Sequence, residues 1–165
     1  MTTPRAILLN WRFDMVKLAY LAMFTFVTLL ASMSWTAGTK PSISALAGKW
    51  RWLLLGTIWS QALLLPVILE ITPEPWKWMG ALGVGCLMFT GASNVLDKND
   101  RLFHTITAVA GFTLLFGWVM VVADKCLLPV IVCIAAGREN WKWRTEVGLI
   151  ISVYMAIIVK LFYQV

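Results

Sequence analysis

The chain has 165 residues, a length for one domain, of which 60% are hydrophobic and only 13% charged. Soluble proteins average about 25% charged residues, and a fold of this size cannot bury so much apolar surface, so a water-soluble globular domain is excluded. The net charge of +6 comes from basic residues set singly between apolar runs, without the clusters of roughly four to eight cations that make an electrostatic patch. No nucleic-acid partner is expected, and the charge suits anionic lipid headgroups.

Several runs are nearly uncharged and approach the ~20 apolar residues that carry a helix across a bilayer. The expected fold is all-α: a polytopic transmembrane bundle of six spans in one domain, residues 1–165, in the cell membrane. The first span covers about residues 16–35. Arg5, Arg12 and Lys17 near its start and small residues from Ala31 to Ser34 imitate a signal peptide. Losing it would leave the set one span short, so it is read as a retained helix.

The second span, about 50–70, stops at "TPEP", where Pro73 and Pro75 cannot continue a helix. The third, about 76–93, carries Gly80, Ala81, Gly83, Gly85 and Gly91. Small residues let helices approach closely, which predicts a central place in the bundle. The fourth, about 100–122, follows "NVLDKND", where Asp97 and Asp100 suit the positive end of a helix. Residues 102–136 as one helix would measure about 50 Å at 1.5 Å per residue, too long for a hydrocarbon core of about 30 Å. Asp124-Lys125 is the only charged interruption there and predicts a tight turn. It leaves a short fifth span, about 124–137, and a sixth, about 141–162.

A Trp-basic-Trp triplet opens three of these spans: Trp50-Arg51-Trp52, Trp76-Lys77-Trp78 and Trp141-Lys142-Trp143. Indoles prefer the headgroup level, half in lipid and half in water, and the cation between them can snorkel to phosphate. The triplets fall on both faces of the membrane, so they read as interfacial anchors rather than as one aromatic cage. The basic residues divide nearly evenly between the two faces, with a slight lean that puts both termini outside the cytoplasm.

"LLPVILEI" at Leu64–Ile71 returns as "LLPVIVCI" at Leu127–Ile134, and Glu-x-Trp-Lys-Trp at Glu74–Trp78 returns at Glu139–Trp143. The shared order suggests a three-plus-three repeat, which with an odd number of spans per unit is inverted in the membrane, as in many transporters.

Ionisable groups in or beside a span are functional candidates. Asp100 and His104 lie four residues apart on one helical face, where a carboxylate can orient the chain's only histidine for proton transfer or headgroup recognition. Either serves as a candidate catalytic group, although a capping role for Asp100 competes. Arg101 and Asp97 complete the cluster, and Gln61, midway along the second span, needs a polar partner and reads first as interhelical glue. Cys86, Cys126 and Cys133 lie in apolar runs without disulfide or metal spacing. No P-loop, dinucleotide fingerprint, GxSxG or HExxH is present, and no metal or cofactor is expected.

The stretch "LDKNDRLFHTITAVAGFTLLF", Leu96–Phe116, resembles the Frag/DRAM/Sfk type of six-helix membrane protein. The resemblance rests on an acidic loop and a histidine at the head of the fourth helix. It implies lipid handling, GPI-anchor remodelling or an autophagy role, with His104 and Asp97 as the residues to inspect. The long cysteine-bearing or glycosylated loops of some members are missing. The leading expectation is a protein that binds or passes a lipid or small apolar ligand within its bundle. The alternatives are a membrane enzyme acting on a lipid headgroup through Asp100 and His104, and a subunit or assembly factor of a membrane complex, paired with a second copy or another membrane protein.

Overall fold

In the computed structural model, residues 4–37, 52, 55–56, 58–93, 98–135 and 141–163 are described, and among them the chain is all-helical with no strand. Helix α1 spans Pro4–Ala37. It begins well before the expected residue 16, because the apolar run marks where a helix can enter lipid and not where it starts. Residues 52 and 55–56 are helical, and the chain is continuously helical from Ile58 to Ile71, with a 3-10 turn at Gln61–Leu64 leading into α2, Leu65–Ile71. Most of the expected start of this helix, Trp50 included, lies outside the described residues.

The 3-10 turn has a local cause. Leu65 donates its N–H to Ala62 O, an i−3 bond, and Pro66 has no N–H with which to continue an i−4 ladder. Thr72 then ends α2 at φ −91°, ψ 126°, the extended conformation that Pro73 imposes on the residue before it. After a turn closed by Trp76 N–H to Pro73 O at 3.0 Å, α3 runs Lys77–Ala92.

Helix α4 is Lys98–Ala123, with Asp100 in its first turn, where a carboxylate complements the helix dipole. Ala123 leaves helical conformation at φ −159°, ψ 77°, at the expected break. A second 3-10 turn, Asp124–Leu127, leads into α5, Leu128–Ala135, where a single helix over 124–137 was expected. Pro129 follows this turn as Pro66 follows the first, and in both places proline occupies the first helical turn, where its missing N–H costs no bond. Helix α6 is Trp141–Tyr163.

Among the described residues three helical stretches are long and apolar enough to cross a membrane: Asp14–Ser32, Asp100–Ala135 with its break at Ala123, and Arg144–Phe162. Large side chains on the outer surface are apolar, Phe24 and Leu102 at 69% exposure and Val109 and Leu128 at 62%. Water would penalise such a surface heavily; hydrocarbon would not.

Glycines set the contacts of α3. A Cβ at Gly80 would fall 2.9 Å from Trp118 and closer still to Ile68, one at Gly83 would meet Leu115 at 2.8 Å, and one at Gly91 would meet Ile58 at 2.9 Å. Helix α3 therefore lies antiparallel to both α2 and α4. The small residues do their expected work, but the central place belongs to α6, which touches α1, α2, α4 and α5. At Gly148 a Cβ would meet Val130 and Cys133 at 3.0 Å, so Cys133 is a packing residue here. Phe26 of α1 meets Tyr154 of α6 with ring centroids 6.3 Å apart.

Trp118 is fully buried and donates its Nε1–H to Thr72 Oγ1 at 2.7 Å, while Thr72 donates to Ile68 O. This chain of bonds ties α4 to the end of α2. Trp52, Trp76, Trp78 and Trp141 are exposed. Lys77 pairs with Glu74 at 2.9 Å and Lys142 sits 5.8 Å over the Trp141 ring. The side chain of Trp143 lies outside those described.

Candidate functional site: a cleft between α4 and α6

Helices α4 and α6 run side by side in the same direction, because the short α5 returns the chain between them. Between them opens a cavity of about 610 Å³, well within the roughly 300–1,000 Å³ of small-molecule sites. Its walls are largely apolar, with Leu87, Ala108, Phe112, Leu115, Leu149 and Val153 among them. Its polar groups gather at two levels.

The first level is the end where α4 and α6 begin. His104, 7% exposed, sits in the wall there, its Nδ1 3.0 Å from Thr90 O and 3.0 Å from Ser93 Oγ. Thr90 O can only accept, so Nδ1 carries a proton and donates. Ser93 Oγ in turn donates to Thr90 O at 2.9 Å. Thr90 belongs to the last turn of α3, whose carbonyls have no partner within the helix, so the histidine caps α3 from the neighbouring helix.

His104 therefore bonds to α3 and not to Asp100, whose side chain is exposed on the first turn of α4. Asp97 lies outside the described residues. Arg101, one turn before His104, is exposed and lines the cleft, facing Trp141, Lys142 and Glu146 of α6. The hydroxyls of Thr105 and Thr145 are turned back on their own helices, to Arg101 O at 2.9 Å and Trp141 O at 2.8 Å.

The second level is the floor. Tyr154 donates its hydroxyl to Gln61 Oε1, and Gln61 Nε2 donates to Ser60 Oγ at 3.1 Å and reaches Ala22 O at 3.5 Å. Gln61 thus joins α1, α6 and its own helix, as a polar residue in an apolar helix should, and also borders the cavity. Beyond Phe26, Ile150 and Tyr154, which it shares with the cleft, lies a second hollow of about 250 Å³ whose walls are apolar.

Of the residues singled out from sequence, the structure brings His104, Arg101 and Gln61 to one cavity. Lys142 and Trp141, read only as anchors, stand at its mouth. Glu146 went unnoticed, although a carboxylate inside a predicted span is a recognisable signal. Tyr154, Thr90 and Ser93 carried no signal of their own. Among the described residues no group of His, Cys, Asp and Glu could hold a metal ion. Comparisons with protein-family models, curated proteins and solved structures find no match for this chain.

Proposed function

We propose that the chain is a six-span protein of the cell membrane that binds a lipid or small apolar ligand, or passes it across, through the cleft between α4 and α6. The observation that carries this reading is the cleft itself: about 610 Å³, walled by apolar side chains and bordered by charged groups at one end. The space is partly open to the surface, so a ligand can enter it. The antiparallel packing of α3 against α2 and α4 supports spans that alternate in direction.

Three-plus-three inversion draws support from two features. Both Leu-Leu-Pro-Val-Ile segments follow a 3-10 turn. The contact of α2 with α3 is paralleled by that of α5 with α6, and the contact of α3 with α4 by that of α6 with α1.

The test is to purify the chain in mild detergent and identify co-purifying lipids by mass spectrometry, beside an Ala108→Trp variant that fills the cleft. Wild type should retain a defined lipid that the variant has lost. Identical lipid content in the two folded proteins would sink the reading.

A further inference from the structure

The cleft is chemically asymmetric along its length, and on the reading that it holds a ligand, this asymmetry indicates the ligand's class. Arg101 and Lys142 border its mouth against one carboxylate, Glu146, among the described lining residues. Both cations sit in the opening turns of α4 and α6, where aligned peptide dipoles also favour an anion. Stacking over Trp141 at 5.8 Å holds the Lys142 ammonium at that level.

His104 supplies an independent observation. With Nδ1 committed to α3, its Nε2 has no hydrogen-bond partner among the described residues, although the side chain is more than nine-tenths buried in the cleft wall. Among the described residues Ser152 Oγ is the buried side-chain polar atom without a partner; Nε2 is therefore accessible at the cleft wall, where it can accept from a ligand O–H. From His104 to Leu115 the wall extends about 16 Å at 1.5 Å per residue, and below the mouth it is mostly apolar down to the Gln61–Tyr154 pair. That is room for a hydrocarbon chain, which a free anion would leave empty.

We propose that the cleft takes an anionic amphiphile with a phosphate headgroup. Its phosphate sits between Arg101, Lys142 and His104 Nε2, and its acyl chain lies along α4 and α6. Arginine suits phosphate because its planar fork donates two parallel bonds. A phosphate monoester, with a second pKa near 6, presents both O⁻ to the cations and O–H to a neutral Nε2.

Binding of three probes to the delipidated full-length chain in neutral detergent tests this: lysophosphatidate, monoacylglycerol and inorganic phosphate. Lysophosphatidate should bind at least about tenfold tighter than either of the others. Arg101→Gln and Lys142→Gln, both at exposed positions, should each weaken lysophosphatidate about tenfold and so narrow its advantage over monoacylglycerol. Equal affinity for the two lipids, or unchanged lysophosphatidate affinity in both variants, overturns the headgroup assignment while leaving the cleft as an apolar ligand site. Inorganic phosphate binding as tightly as lysophosphatidate overturns the lipid as its source. Failure of wild type to bind any probe removes the cleft reading as well.

Discussion

At Gly80 the absence of a side chain lets α3 approach α2 and α4 at the same point. A methyl there would meet the Trp118 ring at 2.9 Å and the Ile68 branch closer still, and both of these residues are fully buried. Neither can retreat without moving a helix, since Trp118 is also bonded to Thr72. Overpacking of this kind costs about 1–3 kcal/mol. Gly85, on the same helix, has nothing within 4 Å of its would-be Cβ, so alanine there should gain the roughly 1 kcal/mol by which it exceeds glycine in helix propensity. Thermal unfolding in detergent should therefore show Gly80→Ala melting below wild type and Gly85→Ala at or above it. The opposite order would mean that α3 does not make these contacts.

The helical elements were largely legible because each is bounded by something local: a proline, a charged pair, an aspartate at a helix start. Asp124-Lys125 is the clearest case, with Ala123 leaving helical conformation just before it. The 3-10 turns before Pro66 and Pro129 were not legible, since an apolar run looks the same at either helical pitch. The cleft was legible only in its parts. Asp100 and His104 share a helical face by spacing, but the ring's direction is set by Thr90, fourteen positions away and on another helix. Trp118, inside an unbroken apolar run, gave no hint of its bond to Thr72, 46 positions away. The break between α4 and α5 can be measured directly. With Cys86, Cys126 and Cys133 replaced by alanine, a cysteine at exposed Lys125 should react with a membrane-impermeant thiol reagent, and one at buried Leu115 should not. Equal protection of the two would make residues 100–135 one continuous span.

For the molecule as a whole, the packing implies two chemically distinct ends. Trp118 packs on Gly80 near Trp76 of the preceding turn and Trp78 at the start of α3, whereas Arg101 shares the mouth of the cleft with Trp141 and Lys142. The 17 steps along α4 from Arg101 to Trp118 rise about 26 Å at 1.5 Å each, close to a hydrocarbon core of about 30 Å. The six-span proposal therefore puts Lys77 on one membrane face, together with Lys125 at the far end of α4, and Arg101 and Lys142 on the other. In a cysteine-free background, single cysteines at these four positions can be labelled from one side of sealed, uniformly oriented vesicles. Positions 77 and 125 should react together from one side, and 101 and 142 together from the other. Only an even number of crossings between residues 77 and 125, and an odd number between 77 and 101, gives that pattern. If position 142 sided with 77, α5 would not cross the membrane. The phosphate-facing mouth of the cleft would then be split between opposite membrane faces, and neither six spans nor a single binding cleft would survive.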